Sequence, residues 1–408
     1  MEVPEKLKPF AFHGVELKDT GVGQWVAECP DCGRRKWSCN KEGLWDCKVC
    51  ATKGNAVEFL RHLHNTCERG TSPAKYEELA ADRRLLDAET LVEWQVAHSP
   101  LTGEWLVPGY NEKGTLQQLY RYGEADGRRV CMATPGMNHK LHGVNLYDAE
   151  RVDVYLCEGP WDGMALWEVL RQTKSVVVDG QDALRPTGNP ESSLLAGVSV
   201  LAVPGCGVFN EAWLPLFAGK NVILLYDNDH PPVNHKTGKE GAPGGFAGLQ
   251  RAARMLKETA GTLYYLHWGE EGYCRDLPSG YDVRDALLAN GRTLKDRQQG
   301  LDSLLARVRE VPDEWGASPT KKSGGKKGEA LECLPCENYK TLNTAWRKAL
   351  RWTPGLDHAM AVMLASIAST KTVGDQLWVK IIGPPASGKS TLCEAVSVAS
   401  KYVLAKST

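Results

Sequence analysis

Four cysteines in two pairs constrain the amino-terminal part of this chain more than any other feature. Cys29-Pro-Asp-Cys32 is followed, after a fourteen-residue interval, by Cys47-Lys-Val-Cys50. Each Cys-x-x-Cys turn presents two thiolates to one tetrahedral ion, so the spacing predicts a zinc ribbon with Cys29, Cys32, Cys47 and Cys50 as ligands of Zn2+. Four thiolates fill the coordination sphere, which makes the ion structural and moves function to the surface around it. A module this small is expected to take much of its folding energy from the metal. The interval Gly33 to Asp46 is rich in Arg, Lys and Trp and reads as two short strands. Arg34, Arg35, Lys36 and Trp37, together with Trp25 and Trp45, form a candidate cationic and stacking face for single-stranded DNA. Cys39 reads as a buried small residue. After Cys50, Asn55 is placed to cap a helix whose apolar face includes Val57, Leu60, Leu63 and His64. The polar stretch 67–81 reads as a tether.

Residues 82–150 read as a mixed subdomain. A short helix from Asp87 to Trp94 precedes a hairpin over Trp105 to Tyr122, broken at Gly109-Tyr-Asn111 and Lys113-Gly114. Arg121, Arg129 and Lys140 make the region locally cationic and are candidates for holding template or nucleotide phosphates.

At Arg151 the pattern changes to α/β. Apolar runs at 152–157, 198–203, 221–226 and 262–266, separated by helical segments, predict a parallel sheet. Ligands in such sheets bind beyond the carboxyl ends of the strands, and that is where the acidic residues fall. Glu158 ends the first run, with Asp162 in the following helical turn. Asp227 and Asp229 end the third, and Asp282 and Asp285 follow the fourth. Asp227 and Asp229 are two apart and so face one side of an extended chain. Clustered carboxylates repel unless divalent ions are bound, and an all-oxygen set selects Mg2+ or Mn2+.

The chain has 49 Lys and Arg against 50 Asp and Glu, a formal net charge of −1. There is no overall basic footprint, so nucleic-acid binding requires local basic patches and metal ions. The start Met1-Glu-Val-Pro-Glu-Lys has no apolar signal region, and no segment approaches the length of a membrane span. The 13 cysteines are therefore expected to sit in a reducing cytoplasm, with no membrane partner. The stretch 312–336 is polar, Gly-rich and lysine-rich and reads as a linker. It contains a lone Cys333-Leu-Pro-Cys336 pair that stays unassigned. Residues 337–408 start another unit: two helices, an apolar strand 377–382, and then Gly383-Pro-Pro-Ala-Ser-Gly388-Lys389-Ser390-Thr391. This is a P-loop pattern in its strand-to-helix context, with Lys389 placed for the terminal phosphates of ATP and Ser390 for magnesium. The chain ends nineteen residues after Lys389, before the acidic strand that completes such a site. It is thus expected not to hydrolyse ATP alone and to be the amino-terminal part of a longer protein.

Glu158-Gly159 with Asp162, the Asp227/Asp229 pair, and Asp282 with Asp285 resemble the TOPRIM domain shared by bacterial-type primases, topoisomerases and some nucleases. With the ribbon upstream, the order along the chain is similar to that of bacteriophage primases of the primase-helicase type. The resemblance covers about residues 20 to 310. It implies a multidomain α+β and α/β protein: zinc ribbon and helix (1–66), amino-terminal subdomain of a primase polymerase core (82–150), TOPRIM domain (151–311), and the start of a P-loop helicase domain (337–408). The implied activity is synthesis of short RNA primers on a single-stranded DNA template from ribonucleoside triphosphates, with two magnesium ions held by Glu158, Asp227, Asp229 and Asp282. Asp162 and Asp285 match supporting positions. The implied partners are the template, the RNA primer, a replicative polymerase and further copies joined through the helicase domain, in the host cytoplasm if the protein is phage-encoded. A TOPRIM nuclease and a non-catalytic, zinc-dependent single-stranded DNA adaptor are the rival readings. Three departures stand out: the helix after Asp229 is displaced by His230 to Gly241, an insertion lies between Asp179 and Ser193, and Asp282 and Asp285 are spaced by three rather than two.

Overall fold

The computed structural model describes residues 3–125, 127–173, 194–234, 238, 240–315, 339–349 and 354–369. The chain divides into two compact units, Met1–Thr320 and Lys321–Thr408. In the first, β1 (Lys18–Asp19), β2 (Gln24–Ala27), β3 (Trp37–Asn40), β4 (Trp45–Cys47) and β5 (Thr52–Gly54) form an antiparallel sheet in chain order. Two helices cover it, α1 (Lys8–Phe12) and α2 (Ala56–Gly70). Asn55 caps α2 as its sequence implies. Its side chain accepts from the N–H groups of Val57 and Glu58, and Glu58 returns a bond to the Asn55 N–H at 2.6 Å.

The ribbon carries a larger core than its size suggests. Trp37 and Trp45 are 1% and 3% exposed. Trp37 packs edge-on against Phe10 at 5.3 Å and stacks on Trp45 at 6.0 Å, with Phe59 of α2 closing the cluster. Burial of aromatic rings on this scale supplies stabilisation that does not depend on a metal. The stacking face expected of Trp37 and Trp45 is therefore an internal one, and neither ring is available to a base. Trp25 stays half-buried.

The expected tether is helical. Helix α2 runs on to Gly70 and α3 occupies Pro73–Arg83, with Tyr76, Leu79 and Ala80 buried. Apolar residues at helical spacing in a polar stretch gave this segment an amphipathic face. Its neighbour α2 is joined to the next sheet, Arg61 donating to the Leu116 carbonyl at 2.9 Å.

That sheet has four strands, β6 (Ala97–His98), β7 (Trp105–Tyr110), β8 (Leu116–Ala125) and β9 (Arg128–Ala133), all antiparallel, preceded by α4 (Glu89–Glu93). The expected hairpin is β7–β8, turned at Asn111, whose side chain accepts from the N–H groups of Lys113 and Thr115.

The third sheet is built from β10 (Asp153–Cys157), β11 (Val198–Ala202), β12 (Asn221–Leu225), β13 (Thr262–Leu266) and β14 (Val308–Glu310), in the order β11-β10-β12-β13-β14. The first four are parallel, as their continuous apolar runs indicate. Strand β14 pairs antiparallel at the edge and was not visible in the sequence. Side chains alternate between two cores: Val154, Leu156, Val222 and Leu224 enter one, Tyr155, Cys157, Ile223 and Leu225 the other. Helix α6 (Gly244–Leu256) covers the first face with Leu249, Ala252, Ala253 and Leu256. Helices α5 (Pro160–Gln172), α7 (Val283–Leu288) and α8 (Leu294–Leu305) cover the second. Chain exits from β10 and β12 thus lead to helices on opposite faces, leaving a crevice at the carboxyl ends of these adjacent strands.

In the second unit, α9 (Tyr339–Ala349) and α10 (Pro354–Ser369) are linked by Asn343, which donates to Asp357 Oδ1 at 2.8 Å. The P-loop residues Gly383, Gly388, Lys389, Ser390 and Thr391, the insertion between Asp179 and Ser193, the pair Cys333/Cys336 and most of the 312–336 linker lie outside the described residues. No helix among the described residues is long and apolar enough to cross a membrane.

Candidate metal centres

The four cysteine sulfurs lie within 4.8 Å of one another. Cys29 and Cys50 Sγ are 3.7 Å apart, and Cys32 and Cys47 Sγ 3.8 Å. Zn–S bonds of about 2.3 Å in a tetrahedron put sulfurs about 3.8 Å apart, so the cluster fits Zn2+. The positions arise locally: Cys47 ends β4, and the Cys50 N–H turns back onto Cys47 Sγ. Cys39 lies apart and buried, and burial pushes its thiol up to about 12. The ten described cysteines are all free of disulfides.

Around the ribbon, Arg34, Arg35 and Lys36 are exposed. Arg35 pairs with Glu28 at 2.8 Å. The cations of the middle sheet are less free. Arg121 is held by Glu104 and the Phe12 carbonyl and lies over the Phe12 ring, so it serves the interior rather than a phosphate. Arg129 is exposed but pairs with Asp82. Lys140 is half-exposed, its backbone N–H donating to the Tyr120 hydroxyl at 2.9 Å.

The β10/β12 crevice gathers the acidic residues. The Glu158 N–H donates to the Leu225 carbonyl at 3.1 Å, and the Asp227 N–H donates to Glu158 Oε2 at 3.0 Å. Asp229 Oδ2 accepts from the Gly245 N–H at 2.8 Å. Asn228, fully buried between the two aspartates, faces the other way. It donates to the carbonyls of Cys274 and Pro278 and accepts from the Cys274 N–H at 2.7 Å. This clip fixes the alternation that turns Asp227 and Asp229 toward the crevice. Gly245 is required by close approach: a Cβ there would lie 2.4 Å from the Asp227 carbonyl oxygen and 3.1 Å from Glu158 Oε2. Neither Asn228 nor Gly245 was singled out from the sequence, although a polar residue between two acids and a glycine pair opening a helix are both readable signals.

Burial, with the charges of Asp229 and Asp162, pushes the Glu158 carboxyl up to about 7. Asp227 is raised well above the usual carboxylate range by burial and by Asp162, Glu158 and Asp282. Its Oδ1 is buried with no hydrogen-bond partner. An orphaned carboxylate oxygen beside a second acid is a position a cation satisfies, and oxygen donors suit Mg2+ or Mn2+. The acidic atoms are nonetheless spread wider than the sulfurs. Among the described residues, the four cysteines are the only three or more His, Cys, Asp or Glu whose ligand atoms all lie within 4.8 Å.

Asp162, Asp282 and Asp285 form a second half with different partners. Arg284 Nε donates to Asp162 Oδ1 at 3.1 Å, and its other end meets Asp282 Oδ2 at 2.5 Å. Asp282 also caps α7, its Oδ1 accepting from the Asp285 N–H at 2.8 Å. Asp285 Oδ1 pairs with Arg84 at 3.0 Å. Burial and the neighbouring Asp282 raise Asp162 to about 6, against the pull of Arg284.

No protein-family model and no curated protein matches this sequence. The solved structures it resembles are those of DNA primases. The Aquifex aeolicus primase, zinc-binding and RNA polymerase domains, is 14% identical over 75% of this chain and 84% of that one, with a TM-score of 0.36. The primase fragment of the bacteriophage T7 primase-helicase is 15% identical over 68% and 96%, with a TM-score of 0.35. The DnaG catalytic core is 12% identical over 84% and 96%, with a TM-score of 0.41.

Proposed function

We propose that this chain is a DNA primase: it synthesises short RNA primers on single-stranded DNA by metal-dependent nucleotidyl transfer, on a TOPRIM-type sheet. The observation that carries the reading is the crevice between β10 and β12, where the Asp227 N–H holds Glu158, the Gly245 N–H holds Asp229, and Asp227 Oδ1 has no partner. A cysteine cluster fitted to zinc in the same compact unit supports pairing that crevice with a template-binding accessory.

Glu158, Asp227 and Asp229 would hold Mg2+ or Mn2+. Such ions, when bound, neutralise triphosphate charge and activate the primer 3′-hydroxyl. The chain's own contribution is positioning. The Asn228 clip and the Gly245 approach fix the two aspartates, and the Asp227 N–H orients Glu158. Arg34, Arg35 and Lys36 on the ribbon would meet template phosphates. The P-loop sequence from Gly383 to Thr391 supports joining this priming unit to an ATP-driven motor in a primase-helicase.

The test is primer synthesis on single-stranded DNA with Mg2+ and labelled ribonucleotides, beside an Asp227→Ala, Asp229→Ala double variant. Short products from the wild type alone are expected. Template cleavage would replace this reading with a nuclease. DNA binding without products would replace it with a non-catalytic adaptor.

A further inference from the structure

The two halves of the acidic cluster differ in what neutralises them. Among the described residues, Glu158, Asp227 and Asp229 pair with no Lys or Arg; Glu158 and Asp229 accept backbone N–H groups, and Asp227 Oδ1 accepts nothing. Asp162, Asp282 and Asp285 are each bound to a guanidinium, from Arg284 or Arg84. We propose that Arg284 is a built-in cation that withdraws Asp162 and Asp282 from metal binding, so that the protein alone holds one divalent ion per chain, on Glu158, Asp227 and Asp229. This rests on the metal-dependent reading of the crevice and narrows it: any second ion enters with the nucleotide's phosphates rather than on the protein's acids.

Geometry leaves Arg284 little other use. Its side chain is 14% exposed, against 7% for Asp162 and 9% for Asp282, so all three groups are desolvated together. The guanidinium spans the two carboxylates, and the Arg284 backbone N–H adds a longer contact to Asp162 Oδ1 at 3.4 Å. Both Asp282 oxygens are occupied, one by Arg284 and the other by the Asp285 N–H that starts α7. A divalent ion at this pair would have to displace a buried guanidinium and leave it unpaired, or sit beside it against like-charge repulsion. The planar fork of Arg makes both contacts at once. Both ends of the Arg284 guanidinium are taken by carboxylates, so it acts as a positioning residue and not a substrate contact. The three-residue spacing of Asp282 and Asp285 has its explanation here: the intervening position that would bring a second acid to the pair carries the counter-charge instead.

The test is Mn2+ binding to the full, zinc-loaded chain without nucleotide, read as loss of the free-ion electron paramagnetic resonance signal. One Mn2+ per wild-type chain is expected. Asp227→Asn should weaken it at least about tenfold, while Asp162→Asn should leave affinity within about threefold. Arg284→Ala should bind two Mn2+ per chain, and Arg284→Lys, which keeps the charge and guards against a folding failure, should bind one. A folding role alone would not change stoichiometry. Two Mn2+ on the wild type, or a tenfold loss in Asp162→Asn, would overturn the proposal while leaving a metal-binding crevice. No Mn2+ on the wild type would overturn the metal reading along with it.

Discussion

At the ribbon, four sulfurs from two turns 15 residues apart lie within 4.8 Å of one another. At the crevice, Glu158 and Asp227, 69 residues apart in sequence, meet only because β10 and β12 are neighbours in the sheet. A free thiol ordinarily titrates several pH units above a carboxylate, so less charge repulsion opposes the gathering of cysteines than of acids. Ionised carboxylates repel, and the fold holds these acids near one another by favouring their neutral, protonated forms, by backbone N–H groups and, in one half, by arginines. A site of the first kind is a matter of local spacing, one of the second kind a matter of topology.

The largest effect should come from removing the ribbon metal. Structural zinc contributes about 10 kcal/mol or more in small metallo-domains. Cys47→Ser should lower bound zinc from one per chain to none and reduce amide-exchange protection in β3 and β4 more than anywhere else in the chain. Because Trp37, Phe10 and Phe59 form a core of their own with α1 and α2, protection in α2 should persist in part, and that in β10 and β12 in full. Loss of protection throughout the chain would show that the metal supports more than the ribbon, and would break the contrast between the two sites.

This contrast also explains what was legible. The CxxC spacing and the apolar runs ending in acids are patterns within a few residues, and the structure places the sulfurs together and the acids at strand ends. Trp37 and Trp45 look in sequence like a basic-aromatic binding face, because nothing local reveals that α1 delivers Phe10 to Trp37 and α2 delivers Phe59 to both. The 67–81 stretch reads as polar because its buried face is only Tyr76, Leu79 and Ala80 within a run of charges. Arg284 is not legible as a counter-ion, because a partner to Asp162 that lies 122 residues away has no sequence signature. The Asp282/Asp285 capping box was available from spacing alone, and the acidic reading of those residues hid it.

A smaller effect lies in the pH dependence of the crevice. Glu158 is raised to about 7 and Asp227 is raised as well, so the folded, metal-free protein binds protons more readily than the unfolded chain from the ordinary carboxylate range up to about pH 7. Their contribution to stability is present at low pH and lost as pH rises through that interval. Buried His13, held down to about 3, and His142, held down to about 4, act with the opposite sign. The informative quantity is therefore the difference in Tm between wild type and Asp227→Asn, in which the histidines cancel. From pH 5.5 to 8 the wild type should lose ground against the variant, and saturating Mn2+ should restore the wild type alone. A difference independent of pH would mean that Asp227 is ionised throughout, with its charge already compensated.

The smallest effect separates the ribbon's exposed cations from one another. If this face meets single-stranded DNA, each phosphate contact contributes about 0.7 to the slope of log affinity against log salt. Arg34 and Lys36 are exposed and, among the described residues, make no ion pair, so Arg34→Ala and Lys36→Ala should each lower the slope by about that amount. Arg35 is already paired to Glu28 at 2.8 Å, and DNA would have to compete with that carboxylate. Exposed pairs of this kind are weak, so the competition lowers rather than abolishes the contact. Arg35→Ala should therefore reduce the slope by less than its neighbours do, and Glu28→Gln should raise affinity in the wild-type background. Slopes unchanged from the wild type in all four variants would remove the template from this face, leaving the ribbon a zinc-braced packing module and the crevice without its accessory.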